Sequence, residues 1–130
     1  MDRLATLTRE ICYLATRAGE KVMRFYEGGA EVKWKKDASP LTSADGASHD
    51  FLIESLRSLT PEVLVISEES EEAANRFAAS AGSFWLVDPL DGTKEFLKRT
   101  NEFTVNIALI ELRRPVLGVI HAIPSLTGDL

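Results

Sequence analysis

From Leu4 to Phe25 the chain carries one unbroken apolar stripe. Leu4, Leu7, Ile11, Leu14, Ala15, Ala18, Val22 and Phe25 recur at steps of three and four, the period of an α-helix. A helix this one-sided must lay its stripe on another apolar surface, so the rest of the chain has to supply one. Gly28 and Gly29 end the helix. A second amphipathic stretch is expected to begin near Ser43, with Ala44, Ala47, Phe51, Leu52, Leu56 and Leu59 on one side and Thr60-Pro61 closing it. Between the two, Glu31 to Lys36 alternates charged residues with Val32 and Trp34 as a half-buried strand does, and Asp37 to Pro40 reads as a turn.

The apolar surface comes next. VLVIS at Val63 to Ser67 and FWLV at Phe84 to Val87 read as strands, separated by a short acidic, alanine-rich helix. FTVNIALIE, from Phe103 to Glu111, and VLGVIHAI, from Val116 to Ile123, are longer strands. The turn-like segment Leu112 to Pro115 joins them into a hairpin. Helices beside several strands with short connections imply an α+β or mixed α/β layering, helices packed on a sheet whose strand order the sequence leaves open.

A length of 130 residues is about one domain's worth, and 45% hydrophobic with 27% charged residues is the composition of a globular chain. The net charge of −5 gives no electrostatic footprint for a nucleic acid polymer. A small phosphorylated ligand stays open, because backbone amides and metal ions bind phosphate inside acidic proteins. No apolar run approaches the ~18 residues of a membrane span, and MDRLATLTREI lacks the layout of a signal peptide, so a cytoplasmic chain is expected. The single Cys12 agrees with a reducing compartment and reads as a small residue on a helix face.

Chemistry concentrates in three segments. Asp88-Pro89-Leu90-Asp91-Gly92-Thr93 follows FWLV directly, putting two carboxylates three residues apart across what reads as a Pro-containing turn. Carboxylates near a strand end are costly to bury unless paired, hydrogen-bonded or bound to a cation. Carboxylate and carbonyl oxygens are the hard ligands Mg2+ prefers, with water and substrate phosphate completing its shell. If Thr93 opens a helix, the amides of Gly92 and Thr93 add an anion site beside the cation site. An ordinary Asp/Gly turn with Asp91 as a helix N-cap also accounts for this segment alone.

The second segment, Ile66 to Glu72, places Glu68 and Glu69 at the end of the other apolar strand, while Glu71 and Glu72 suit the solvated first turn of a helix. If VLVIS and FWLV lie side by side and parallel, their ends bring Glu68, Asp88 and Asp91 into one pocket. In the third segment, Ser39 to Asp45, Thr42 with Asp45 fits a loosened capping box. His49 follows Asp45 by one helical turn and reads as a surface histidine, and His121 as a core or edge residue of its strand.

Together these segments resemble the inositol monophosphatase superfamily of Mg2+-dependent phosphatases. WLVDPLDGTKEF, Trp85 to Phe96, is similar to its signature, and SEES around Glu68 to its upstream acidic motif. KKDASPLTSAD and KRTNEFTVNIALIE resemble the 3'(2'),5'-bisphosphate nucleotidase branch in particular. The resemblance runs from the first helix to about Ile123.

It implies a layered phosphatase sandwich, of which this chain is the N-terminal αβ half, helices packed on a largely antiparallel sheet. It also implies hydrolysis of the 3'-phosphate of adenosine 3',5'-bisphosphate to AMP and phosphate, with two or more Mg2+ ions. By position, Glu68, Asp88, the Leu90 carbonyl and Asp91 would be metal ligands. Glu68, Leu90, Asp91, Gly92 and Thr93 would meet the substrate, and Thr93 with Glu68 or Asp45 would handle the proton of the attacking water. Family members run to roughly twice this length, and their second half adds another metal-binding Asp and much of the nucleotide pocket. The resemblance therefore also implies weak or absent activity for these residues alone, self-association through uncovered sheet, and a cytoplasmic setting with peripheral inner-membrane association. Inositol phosphate hydrolysis and a non-catalytic metal- or phosphate-binding fragment are the competing readings.

Overall fold

The computed structural model describes residues 3–28, 32–34, 40–67, 82–91 and 103–122. Helix α1 spans Arg3–Gly28 and helix α2 spans Ser43–Leu59. Two three-residue strands, β1 (Val32–Trp34) and β2 (Pro40–Thr42), pair antiparallel as a small ribbon between the helices. The strand expected over Glu31 to Lys36 is thus confirmed for its central residues, and Pro40, expected in a turn, is the first residue of its partner.

Four strands make the main sheet: β3 (Leu64–Ser67), β4 (Ser83–Asp91), β5 (Thr104–Glu111) and β6 (Arg114–Ala122). They lie in chain order, β3-β4-β5-β6, with β3 and β4 parallel and the other pairs antiparallel. The largely antiparallel sheet matches expectation, and VLVIS and FWLV meet the condition set for them above, lying side by side and parallel. The acidic helix expected after Ser67, and the helix expected from Thr93, lie outside the described residues.

Both helices cover one face of the sheet, α2 against β3 and β4, α1 against β5 and β6. The period of two in each strand decides which residues meet them. Val65 pairs with Trp85, Trp85 with Leu109 and Leu109 with Leu117, so all four share the covered face, and all four are buried. From the helices come Ile11, Ala15, Ala18 and Val22 of α1 and Ala44, Leu52 and Leu56 of α2, each fully buried. From Leu7 to Val22 the stripe read from the first helix is therefore its sheet- and helix-facing side, while Leu4, at the helix start, is exposed. At the rim of the α1 and α2 contact, the Lys21 ammonium sits 5.1 Å from the Phe51 ring centre.

Two details depart from the sequence reading. The hairpin turn is only Leu112 and Arg113, with Glu111 paired to Arg114, and Pro115 already belongs to β6. Both turn residues have positive φ, 50° and 66°, as a two-residue turn must when its twist matches the strands it joins. Pro115 is tolerated because β6 is an edge strand and the register shifts at Leu109 and Ile110.

Candidate active site

The signature segment is not a turn beyond a strand. Strand β4 runs on through Asp91 and absorbs Pro89 as part of a bulge. Asp88 stands opposite Asn106 and Asp91 opposite Thr104, so three steps along β4 match two along β5. The physical reason is proline. Pro89 has no N–H to give the ladder, and an extra residue lets the strand continue without that bond. The bulge has a chemical consequence. In a regular strand positions three apart belong to opposite faces, whereas Asn106 and Thr104 share one face and are joined there by a 3.1 Å hydrogen bond from Asn106 Nδ2 to Thr104 Oγ1. The extra residue thus brings the register positions of Asp88 and Asp91 into phase.

Around the bulge the backbone is tied down. The Leu90 amide donates to Asp88 Oδ1 at 3.3 Å, and the Ser48 hydroxyl donates to the Pro89 carbonyl at 2.7 Å. Ser48, Pro89 and Leu90 are buried, and Asp88 is half-buried. Asp45 lies in the first turn of α2, three residues after Thr42 as in a capping box, with only 1% of its surface exposed. Ser48 and His49 follow it by three and four residues, so all three occupy one side of α2.

Strand β3 ends beside this segment. Ser67, the last described residue before Glu68, pairs with Val87, the residue before Asp88. Its Oγ lies 2.9 Å from His49 Nδ1. His49, expected at the surface, is half-buried and tied to a strand end, because the helix that carries it docks on β3 as well as β4. His121, half-buried on the edge strand, agrees with expectation.

Of the expected site residues, Asp45, Asp88 and Leu90 are therefore placed at one end of the sheet and helix layers, and Asp91 is the last residue of β4. Glu68, Gly92 and Thr93 lie outside the described residues. Among the described residues no group of three or more His, Cys, Asp or Glu side chains converges as a metal cluster. The oxygens that this end of the layers offers are of the hard type: the half-buried Asp88 carboxylate, the buried Asp45 carboxylate and the backbone carbonyls of the bulge. That set suits Mg2+. Ser48 and Ser67 were missed by sequence reasoning. The available signal was position alone, one residue a helical turn beyond Asp45 and the other directly before Glu68.

On the face away from the helices lies a depression of about 890 Å³, lined by Ile66, Leu86 and Ile120 and bounded by Asp88 and Asn106. Leu86 and Ile120 are 47% and 76% exposed. No described helix is long and apolar enough to cross a membrane.

A two-helix layer on a mixed sheet, with a bulge between Asp88 and Asp91 at the end of its parallel pair, is a fold of the inositol monophosphatase type. The chain belongs to the inositol monophosphatase family, which it matches over residues 3–129. Among solved structures it is similar to the extragenic suppressor protein suhB of Bartonella henselae, with a TM-score of 0.79 at 29% identity, covering 90% of this chain and 45% of that one. It also resembles CysQ from Bacteroides thetaiotaomicron, described as a bacterial member of the inositol monophosphatase family, with a TM-score of 0.64 at 43% identity, over 84% of this chain and 39% of that one. In sequence it is 49% identical to the 3'(2'),5'-bisphosphate nucleotidase CysQ of Salmonella typhimurium over 118 residues, which are 89% of this chain and 48% of that protein. The chain spans about half the length of the curated relatives it matches.

Proposed function

We propose that these residues form the metal-binding half of a Mg2+-dependent phosphatase that removes the 3'-phosphate of adenosine 3',5'-bisphosphate, giving AMP and phosphate. One observation carries the reading: the bulge that brings the Asp88 and Asp91 positions into phase, beside the end of β3. The nucleotide substrate rests on the likeness to the CysQ nucleotidases.

Mg2+, in two or more copies, supplies Lewis acidity toward phosphoryl oxygen and acidifies a water molecule. Glu68, Asp88, the Leu90 carbonyl and Asp91 hold it. Asp91, Gly92 and Thr93 receive the substrate phosphate, with Glu68 and Leu90 alongside. The Thr93 hydroxyl takes the proton of the attacking water as it passes its own to the carboxylate of Glu68 or Asp45. Burial of Asp45 suits this role, since a carboxylate shielded from bulk water interacts more strongly with the groups it faces. A bond from the water oxygen to phosphorus forms as the bond from phosphorus to the 3'-oxygen breaks, and the leaving oxygen takes up a proton from a solvent water molecule. The same reading includes a cytoplasmic setting, with which the exposed free thiol of Cys12 agrees, and self-association through the outer sheet face.

The test is Mg2+ calorimetry together with phosphate release from adenosine 3',5'-bisphosphate. The expected result is Mg2+ binding with little turnover by these residues alone, and loss of both in Asp88→Ala. Absence of Mg2+ binding even with phosphate present would overturn the metal site, and robust turnover would overturn the incompleteness. Faster release from inositol monophosphate than from the nucleotide would move the substrate to inositol phosphates.

A further inference from the structure

Helix α2 meets the ends of both ligand-bearing strands through two adjacent residues. Ser48 Oγ donates to the Pro89 carbonyl at 2.7 Å, and His49 Nδ1 shares a 2.9 Å hydrogen bond with Ser67 Oγ. Pro89 lies between Asp88 and Asp91, and Ser67 directly precedes Glu68. The Pro89–Leu90 peptide is held at both ends, its carbonyl by Ser48 and its N–H by Asp88 Oδ1. Turning that peptide would redirect the Asp88 carboxylate and the Leu90 carbonyl together, because both are bonded or hydrogen-bonded to it.

A strand end by itself has few restraints on such a turn. A helix bonded to two strand ends fixes each of them, and it also fixes the gap between them. Ser48 and Pro89 are fully buried, so the bond between them is not weakened by competing water. We propose that Ser48 and His49 are positioning residues of the metal site, which set the orientation and spacing of the two ligand-bearing segments without touching the reacting atoms. The proposal rests on the Mg2+ reading above.

Its test is Mg2+ titration by calorimetry on the 130-residue chain with inorganic phosphate present, each variant checked by thermal melting. Ser48→Ala and His49→Ala are each expected to weaken Mg2+ binding about tenfold, the lower end of what loss of a partner behind a metal ligand costs. His49→Asn keeps a polar atom at the position of Nδ1 and is expected to recover most of the affinity. If Ser48→Ala does not fold, Ser48→Cys replaces it, close in shape and a weaker donor, with a smaller loss in the same direction. Variants that bind Mg2+ as tightly as the parent would overturn the proposal, as would a loss after His49→Ala that His49→Asn does not restore. A parent chain that binds no Mg2+ would instead overturn the metal site itself and this proposal with it.

Discussion

Thr60 serves two partners at the end of α2. Its hydroxyl donates to the Leu56 carbonyl at 3.1 Å and accepts the indole N–H of Trp85 at 2.8 Å. Trp85 is the largest fully buried side chain among the described residues, and burial of an indole is favourable only when its N–H finds a partner. Thr60→Val keeps the shape and removes the acceptor. It is expected to lower stability by about 1–3 kcal/mol, the cost of a buried donor left unpaired, read from the urea midpoint. Thr60→Ser should retain most of the stability. Nothing in the order Thr60-Pro61 foretells this partnership, because Trp85 is remote in sequence and local pattern reports only the end of the helix.

At the scale of elements, the β5–β6 hairpin turns through Leu112 and Arg113, two residues poorly suited to left-handed backbone. Leu112 is 83% exposed, so no packing holds it there. Its amide does donate to the Gly82 carbonyl at 2.9 Å, which helps fix the turn, and asparagine would keep that donor. Replacing the pair, Leu112→Asn with Arg113→Gly, is expected to stabilise the chain by about 1 kcal/mol, measured as a rise in melting temperature. The hairpin was legible from its two apolar runs, but the tight turn was not, since the sequence lacks the Asn-Gly that marks one. The bulge in β4 was hidden for a related reason. Asp-Pro normally signals a break, and only pairing with β5 carries the strand through it.

For the molecule as a whole, one face of the sheet is covered by both helices while the other exposes Leu86 and Ile120. Sheet with one bare apolar face tends to pair with another such surface. Light scattering is expected to give a mass above the 14.4 kDa of a single chain, and Ile120→Lys is expected to bring it down toward that value. A parent chain that scatters as a monomer would contradict this.

Periodicity and spacing were enough to determine the two helices, the strand runs and the hairpin, and to single out the candidate carboxylates, because each is written in residues close together along the chain; the parallel pairing of β3 and β4 had to come from the structure. Tertiary structure alone decided that Asp88 and Asp91 occupy in-phase positions across a bulge. It also decided that Ser48 and His49 tie α2 to both strand ends, and that Trp85 depends on Thr60. Each of these joins residues whose separation in sequence carries no pattern, so they become neighbours only when the helices settle on the sheet.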